Sequence, residues 1–367
     1  MGCNGEGGII VEKRSVLLCR RISTTKIQNQ WKSAGNRDRK NNPHAECCTG
    51  NQLEEIIEEV YIMKVGVIMG GVSSEREVSL MTGKEMTAHL DKSRYEVYPI
   101  EIHDKRELIS KTEGIDIALL ALHGTFGEDG TVQGTLDTLG IPYTGSGVLA
   151  SSLCMDKDLS KKLLRYEGLH TADWIMVSCM EELAAADVEG LGFPVVVKPN
   201  AGGSSIGTRI VRDPADLASA VEEALRWDRF VMIEQWIEGE EITCPVLNGD
   251  MLPIVSIKPN SEFFDYASKY EEGEADEQVI ELPAELQEQV RTAALQCYKA
   301  MKCSVYARID IILKGKIPYI LEVNTLPGLT KTSLLPRSAE AAGYSFSGLL
   351  DALIETSLSE RKSEGKE

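Results

Sequence analysis

The alternation of strand-like and helix-like segments between residues 63 and 359 predicts an α/β fold arranged in successive units. The 367 residues are enough for two or three domains with cores of their own, and the 43% apolar content is ordinary for a globular protein. The long apolar run IDIALLAL falls well short of the roughly 18 residues of a membrane span, so it is expected to be a core strand.

Charge and cysteine usage narrow the choice of partner and compartment. A net charge of −18 argues against a nucleic-acid partner, which would need a basic face. The nine cysteines include no C-x-x-C pair, and the five histidines have no ligand-like spacing to them, which disfavours a disulfide framework and structural zinc. We therefore expect a cytoplasmic protein with reduced thiols and no membrane partner. The oligomeric state stays open, and a homodimer is compatible with the sequence.

The first element, residues 1–62, differs from the rest of the chain. Residues 1–50 hold 9 Lys and Arg against 4 Asp and Glu and show no sustained helical or strand period. The segment lacks the apolar core of a signal peptide and the continuous amphipathic stripe of a transit peptide. It is predicted to be a disordered extension, and Met63 is compatible with being the original start.

Three α/β units are predicted to follow. The strands KVGVIMGG, YEVYPIEI and DIALLALHG, with the helix SLMTGKEMTAHL, predict a first domain with a parallel sheet. A helix from SLCMDKDLSKKLLRYEG opens the central unit, which contains PVVVKPNAGGSSIGTRIV and FVMIEQWIEGEE. The last unit has the strands EITCPVL and LPIVSIKP, a helix from Pro283 to Met301 and a final hairpin. The predicted bounds are 63–155 for the N-terminal domain, 156–241 for the central domain, 242–359 for the C-terminal domain and 360–367 for a polar tail.

The final hairpin, YARIDIILKGKIPYILEVN, gives the sharpest geometric prediction. A five-residue loop over 314–318 places Asp310 opposite Glu322, and the same count places Arg308 opposite Asn324. Directly paired residues share one face of a sheet, so two carboxylates and an amide oxygen would form a hard oxygen site suited to Mg²⁺. The alternative is a solvated strand end with an ordinary Asp–Arg pair.

Three segments have the composition of nucleotide-handling loops, and each also has an ordinary interpretation. In VVVKPNAGGSSIG, Lys198 ends a strand before a Gly/Ser loop that could hold a phosphate or be only a turn. In MDKDLSKKLL, Asp156 is an N-cap candidate and Lys157 lies in the first turn, facing a phosphate or solvent. In FVMIEQWIEGEE, a strand leads to Glu241, which could meet a ribose or simply end a charged turn.

Two segments of the N-terminal unit are candidates for a ligand cleft. In SSEREVS, Glu75 is predicted in the first turn of a helix, where it complements the dipole or binds an ammonium group. In LLALHGTFGEDG, His123 follows a buried strand at the sheet edge where α/β proteins bind ligands, although it could equally be structural. The missing G-x-G-x-x-G spacing disfavours a Rossmann oxidoreductase.

Taken together, these patterns resemble the D-alanine–D-alanine ligases of the ATP-grasp superfamily, from about residue 63 to residue 358. The segments that carry the resemblance are, in order, GGVSSEREVS, ALHGTFGEDGTVQG, PYTGSGV, CMDK, VVKPNAGGSSIG, DYASKY, ARID and EVNTLPGLTKTSLLP. The resemblance implies three α/β domains with ATP held between the central and C-terminal ones, and two Mg²⁺ (or Mn²⁺) ions. The implied activity joins two D-alanines through an acyl phosphate, forming ADP, for peptidoglycan precursor synthesis.

The resemblance also implies roles for single residues. For ATP the implied residues are Lys157 and Lys198 at the phosphates, Glu234, Trp236 and Ile237 at the base, and Glu241 at the ribose. For the metal ions they are Asp310, Glu322 and Asn324. For the two D-alanines they are Glu75 at the first ammonium with His123 nearby, Ser204 and Tyr270 linked to Glu75 by hydrogen bonds, Arg308 and the Gly328 N–H at the oxyanion, and Ser333 with Leu334 at the second carboxylate.

Two other functions compete with this one. A different ATP-grasp ligase could join another carboxylate to an amine, but Glu75, Tyr270 and the segment KTSLLP argue against it. A nucleotide-binding regulatory protein with a dead site would be expected to lack residues such as Arg308 or Lys198, and both are present.

Overall fold

The computed structural model describes residues 62–259 and 275–364. The described residues from Met63 onward belong to one compact unit. The predicted extension (Ile62 excepted), the end of the polar tail and Tyr270 lie outside the described residues. None of the described helices is both long enough and apolar enough to cross a membrane.

The first sheet is parallel, as the sequence predicts. Its strands are β1 (Met63–Gly70), β2 (Tyr95–Ile102) and β3 (Ile117–Leu120), in the order β2–β1–β3. The central strand is a nearly continuous apolar run because it lies buried in the core. Three helices accompany this sheet in the chain: α1 (Arg76–His89), α2 (Glu107–Lys111) and α3 (Thr131–Leu139).

The predicted helix SLCMDKDLSKKLLRYEG is two helices, α4 (Val148–Met155) and α5 (Lys157–Tyr166). They are separated because Asp156 has extended backbone angles, and its carboxylate accepts the Leu159 N–H at 3.0 Å as an N-cap. The N-cap prediction is therefore confirmed, while the single helix is wrong. Cys154 and Leu164 of this pair pack in the same core as the last sheet of the chain.

The second sheet is antiparallel. Its strands are β4 (Trp174–Val177), β5 (Val195–Pro199), β6 (Arg209–Val211) and β7 (Val231–Gln235), in the order β4–β7–β5–β6. Helices α6 (Met180–Ala185) and α7 (Leu217–Ala224) close a small apolar core with it.

The third sheet is also antiparallel and carries the predicted hairpin. Its strands are β8 (Glu240–Leu247), β9 (Asp250–Met251), β10 (Ile254–Pro259), β11 (Ala275–Ile280), β12 (Tyr306–Lys314) and β13 (Ile317–Asn324). The order is β11–β10–β8–β12–β13, with β9 paired to β8. Helix α8 (Ala284–Ala300) packs on this sheet and lies within one residue of the predicted Pro283–Met301 at each end. Helix α9 (Leu334–Ala341) follows the hairpin.

The loop of the hairpin differs from the prediction. Lys314 pairs with Ile317 and Leu313 pairs with Pro318, so the turn has two residues and the predicted loop over 314–318 is wrong. Pro318 lies inside β13 rather than in the loop. The strand tolerates it because β13 is an edge strand of the sheet, where a missing N–H need not leave a partner unbonded.

A β-bulge restores the predicted register beyond the turn. Asp310 pairs with Glu322 but Ile311 pairs with Ile320, which leaves Leu321 as the extra residue. The even turn would put the two carboxylates out of register, and the bulge shifts them back by one residue. Both predicted pairs are therefore present: Asp310 with Glu322, and Arg308 with Asn324.

The last helix, α10 (Phe346–Glu364), packs on the first sheet. Its residues Leu349 and Leu353 are fully buried in the core that β1 and β3 build. Residues 360–364 of the predicted polar tail belong to this helix. Arg361 anchors this end, because its guanidinium donates to the Gly145 carbonyl at 2.9 Å and lies 3.9 Å from the centre of the Tyr143 ring. The predicted domain bounds stay a prediction.

Candidate active site

Asp310 is the best-fixed side chain of the hairpin face. The Arg308 guanidinium donates to both of its carboxylate oxygens, each at 2.9 Å. The Thr243 hydroxyl donates at 2.6 Å and the Asn324 amide at 2.9 Å. Donors from three neighbouring strands thus hold one buried carboxylate, which is the arrangement that makes a buried charge tolerable.

The donor set for a metal ion fits Mg²⁺ chemically. Asp310 and Glu322 supply carboxylate oxygens and Asn324 can supply an amide oxygen, all hard ligands on one face of the sheet. In this structure the Asn324 amide nitrogen faces Asp310, so binding a cation through its oxygen would require the amide to rotate. Within 62–259 and 275–364, no cluster of three or more His, Cys, Asp and Glu residues could hold a metal ion. The predicted set contains only two carboxylates, and its third ligand is an amide.

Lys157 joins the hairpin to the Gly/Ser loop. Its ammonium lies 3.7 Å from Glu322 Oε2 and donates to the Gly202 carbonyl at 2.7 Å. Its backbone N–H donates to the Asn200 carbonyl at 3.3 Å. The first residue of α5 therefore brings a positive charge to the place where the oxygen-rich face and the predicted phosphate loop meet.

Lys198 and Glu234 meet at the end of the second sheet, which we also call the central sheet. A third residue, Lys161, joins them and was not selected by the sequence analysis. Glu234 binds the Lys198 ammonium through one oxygen and the Lys161 ammonium through the other, at 2.9 Å for Lys161. Lys161 also donates to the Thr171 hydroxyl at 2.7 Å. The signal that could have revealed it is its spacing: it follows Lys157 by four residues and lies on the same helix face.

The electrostatics of Glu234 follow from these two lysines. Burial alone would raise the pKa of the carboxyl, but the Lys161 and Lys198 charges outweigh burial and hold the pKa at about 2. Burial disfavours the charged form of Lys161 as well, which lowers the pKa of this ammonium, and the Glu234 charge opposes that shift. The carboxylate is therefore ionised throughout the physiological range.

Glu75 lies buried at the N-cap position of α1, one residue before the predicted first turn. The Ser204 hydroxyl donates to its carboxylate, as the resemblance implies. Gly124 and Gly203 close around the same carboxylate: a Cβ at Gly124 would lie 2.5 Å from Glu75 Oε2, and one at Gly203 would lie 3.0 Å from it. Ser204 itself has φ +52°, a left-handed conformation that is strained for serine and typical of ligand-holding loops.

His123 is buried, and it directly precedes Gly124, the residue that closes around the Glu75 carboxylate. Its Nε2 is 3.2 Å from the Thr82 hydroxyl, and its carbonyl accepts the Ser73 hydroxyl at 2.6 Å. Burial, with a smaller contribution from the Arg308 charge, lowers the pKa of His123 to about 4. The imidazole is therefore neutral at neutral pH.

Glu128 is a second residue that the sequence analysis did not select, although it lies in the quoted segment LLALHGTFGEDG. Its carboxylate accepts the Gly124 N–H at 2.6 Å, which closes the loop that follows His123. Its pKa is raised to about 8 by burial and by the charges of Glu75 and Glu322. The Gly124 N–H and the Arg308 charge act in the opposite direction but are outweighed. The structure therefore brings two further carboxylates close enough to act on this carboxyl.

The segment after the hairpin presents the residues expected at the second substrate carboxylate. Ser333 occupies the N-cap position of α9, and its hydroxyl accepts the Thr330 N–H at 3.2 Å. A Cβ at Gly328 would lie 3.0 Å from that hydroxyl, so the close approach favours glycine there. Leu334 is buried at the start of α9. The N–H groups of a helix start are suited to an anion.

The remaining predicted ATP residues follow β7. The Trp236 N–H donates to the Pro194 carbonyl at 3.3 Å, and Ile237 is buried. Glu241 lies two residues before Thr243 on β8, and Thr243 pairs with Asp310, so the strand alternation puts Glu241 on the hairpin face. The described site residues therefore come from the ends of all three sheets, and only Tyr270 is outside the described part of the chain.

Comparisons with known proteins identify the family that the chain resembles. The family model for the D-ala D-ala ligase N-terminus matches residues 64–114 and 103–146, and the model for the D-ala D-ala ligase C-terminus matches residues 157–355. A D-alanine–D-alanine ligase of Bacillus anthracis is 60% identical over 303 residues, which are 83% of this chain and 100% of that protein.

Solved structures give the same result. A Bacillus anthracis D-alanine–D-alanine ligase complexed with ATP has a TM-score of 0.76 at 57% identity, over 83% of this chain and 100% of that one. The VanG D-Ala:D-Ser ligase of Enterococcus faecalis has a TM-score of 0.70 at 30% identity, over 81% of this chain and 100% of that one.

Proposed function

The chain belongs to the D-alanine–D-alanine ligase family, and from that premise we propose how its residues join two D-alanines. It has the ATP-grasp fold and is an ATP-dependent, ADP-forming ligase. The proposal extends to single residues, to the metal ions and to the use of the dipeptide in peptidoglycan precursors.

One observation carries the assignment of roles: Lys157 reaches both Glu322 and the Gly/Ser loop. A γ-phosphate placed there would lie against Lys157, against the hairpin face and near Lys198 at the end of β5. The base would lie beside Glu234, Trp236 and Ile237, and Glu241 would meet the ribose. Phosphoryl transfer depends mainly on such positioning and charge stabilisation.

In the first step the carboxylate of the first D-alanine attacks the γ-phosphorus of ATP. The bond to the bridging oxygen breaks, ADP leaves and an acyl phosphate forms. Glu75, with Ser204 bound to it, receives the substrate ammonium and so directs the carboxylate toward ATP. Tyr270, which lies outside the described residues, keeps its proposed link to Glu75 from the resemblance alone.

In the second step the amine of the second D-alanine, once deprotonated, attacks the acyl carbon, and phosphate leaves. Negative charge develops on the carbonyl oxygen during this attack. Arg308 and the Gly328 N–H are the proposed donors to it, and Asp310 fixes the guanidinium by two hydrogen bonds. Ser333 and Leu334, at the start of α9, receive the second carboxylate, and neutral His123 lies near the first substrate.

Two Mg²⁺ (or Mn²⁺) ions are proposed at Asp310, Glu322 and Asn324, whose oxygens fit such ions. When bound, they would offset the charge of the phosphates.

The compartment and assembly are also proposals. The cysteines described in the structure, five in number, are all free thiols, which supports a cytoplasmic location. A homodimer remains an expectation.

The decisive experiment measures phosphate release from ATP with D-alanine or L-alanine, with and without Mg²⁺, and identifies the product by chromatography. We expect D-Ala-D-Ala and phosphate in equal amounts, only with D-alanine and only with the metal ion. Phosphate release that is independent of D-alanine would contradict the ligase assignment, and undiminished ligation without divalent cations would contradict the metal site.

A further inference from the structure

Lys161 is the most deeply buried charged residue of the nucleotide side of the site. Its side chain is 2% exposed, against 5% for Glu234 and 12% for Lys198. A lysine is rarely buried to this extent unless it is paired. Its partners are the Glu234 carboxylate at 2.9 Å and the Thr171 hydroxyl at 2.7 Å, so its place is structurally satisfied.

The three side chains form a cluster of defined charge, which we call the paired cluster: Lys161, Glu234 and Lys198. One carboxylate lies between two ammonium groups, so the cluster keeps one net positive charge. The two lysines are not equivalent, because Lys198 is the more exposed and ends the strand that leads into the Gly/Ser loop. Lys161 comes from helix α5 and points into the protein interior.

We propose that Lys161 is a positioning residue that balances the charge of Glu234 and so leaves the charge of Lys198 to the ATP phosphates. The inference rests on the proposed placement of ATP beside Lys198. Without Lys161, Glu234 and Lys198 would form a neutral pair, and an ammonium held by its own carboxylate attracts a polyphosphate less. Lys161 touches no substrate in this arrangement and acts only through Glu234.

A second contact supports a positioning role. Helix α5 presents Lys157 to Glu322 on the hairpin and, one turn later, Lys161 to Glu234 on the central sheet. The same helix packs its Leu164 into the core of the third sheet. One rigid element therefore fixes the distance between the phosphate end and the base end of the site.

The test compares ATP binding to the full chain by calorimetry, with Mg²⁺ present, for wild type, Lys161→Met, Glu234→Gln, Lys161→Met/Glu234→Gln and Lys162→Met. Lys161→Met should weaken ATP binding about tenfold, equivalent to ~1.4 kcal/mol. Because Lys161 acts through Glu234, the double variant should bind ATP within about threefold of Glu234→Gln alone. Lys162 is exposed and pairs with Asp158 at 2.6 Å, and Lys162→Met should bind ATP as wild type does.

Comparing the effect of Lys161→Met in the two backgrounds decides the proposal, because an effect that runs through Glu234 disappears when that carboxylate is absent. Unchanged ATP affinity in a folded Lys161→Met, or a double variant that binds ATP about tenfold more weakly than Glu234→Gln, would overturn it. Adenosine, which carries no phosphate, should bind Lys161→Met as it binds wild type, and equal losses for adenosine and ATP would show a merely structural role and overturn it too. If Lys161→Met fails to fold, the double variant and Glu234→Gln still decide, since the double variant replaces a buried ion pair by neutral groups. A wild type that binds ATP but forms no dipeptide would instead contradict the proposed function.

Discussion

The paired cluster and the acidic cluster of Glu75, Glu128 and Glu322 handle charge in opposite ways. In the paired cluster two lysines overcome the cost of burial and hold the pKa of Glu234 at about 2. In the acidic cluster burial and the neighbouring carboxylates raise the pKa of Glu128 to about 8. The paired cluster is stabilised by the protein's own opposite charges, whereas the acidic cluster is expected to be stabilised when cationic groups of ligands bind. Stability and function should therefore respond differently to mutations in the two regions.

The largest expected effect is on turnover, for a change in the acidic cluster that should leave stability nearly unaltered. Glu322→Gln keeps the shape of the side chain but removes one proposed metal ligand charge, so turnover should fall about a thousandfold, or ~4 kcal/mol. The free energy of unfolding without ligands should change little, because the relief of crowded carboxylates offsets the lost contact with Lys157 at 3.7 Å. Steady-state kinetics across Mg²⁺ concentrations and urea unfolding measure both quantities, with the exposed Glu285→Gln as the control. Near-normal turnover in Glu322→Gln would remove this residue from the site.

In the paired cluster, removing a carboxylate should instead lower the free energy of unfolding. Glu234→Gln leaves the buried Lys161 ammonium and the partly buried Lys198 ammonium without their carboxylate, and the free energy of unfolding at pH 7 should fall by about 3 kcal/mol. Because the folded-state pKa of Glu234 lies below its unfolded value, this stabilisation is present above about pH 4.5 and is lost as the pH falls toward 2. Urea unfolding from pH 7 to pH 3 should show wild type and variant converging. Parallel curves would mean that Glu234 is not the group responsible.

The acidic cluster should show the opposite pH dependence. The folded-state pKa of Glu128 lies above its unfolded value, so its contribution to stability is present below about pH 4.5 and is lost as the pH rises to about 8. Glu128→Gln should therefore be more stable than wild type at pH 8 by roughly 2 kcal/mol, and close to it at pH 4.5. The same unfolding series measures this, with Glu113→Gln, an exposed turn residue, as the control. An equal difference at both pH values would contradict the raised pKa.

The smallest expected effect concerns the hydrogen bonds to Asp310. This carboxylate binds Arg308 and shares one face of the third sheet with Glu322. Thr243→Val removes one neutral donor at 2.6 Å while Arg308 and Asn324 remain, so we expect a loss of about 1 kcal/mol in unfolding free energy. Thr243→Ser restores the hydroxyl and should recover most of it. If the serine variant behaves like the valine variant, the packing of the methyl group and not the hydrogen bond is responsible.

The sequence allowed much of this architecture to be predicted, for identifiable reasons. The parallel first sheet follows from buried apolar runs such as KVGVIMGG, since an interior strand must be apolar on both faces. The hairpin pairs were predicted correctly, but by way of a five-residue loop that does not exist. A two-residue turn and a bulge at Leu321 compensate each other, and neither has a strong signature in the sequence KGKIP.

The residues that the sequence analysis did not select show where such reasoning stops. Lys161 occurs in a run of charged helix residues, where most lysines are solvated, and its partner Glu234 is 73 positions away along the chain. The importance of Glu128 depends on the charges of Glu75 and Glu322, which only the folded chain brings near it. Local patterns predict elements and single motifs, but long-range pairing of charges depends on tertiary packing.

The docking of α10 on the first sheet has a consequence for how the protein is made. Arg94, next to β2, forms ion pairs with Asp351 and Glu355, which lie 257 and 261 residues further along the chain. Of the three sheets, the one that contains β1 and β3 is therefore the first to leave the ribosome during synthesis. Its core is nevertheless completed last, when Leu349 and Leu353 have been synthesised. Until then the nascent chain exposes an unfinished apolar surface, so this region is where chaperone assistance and premature termination should matter most.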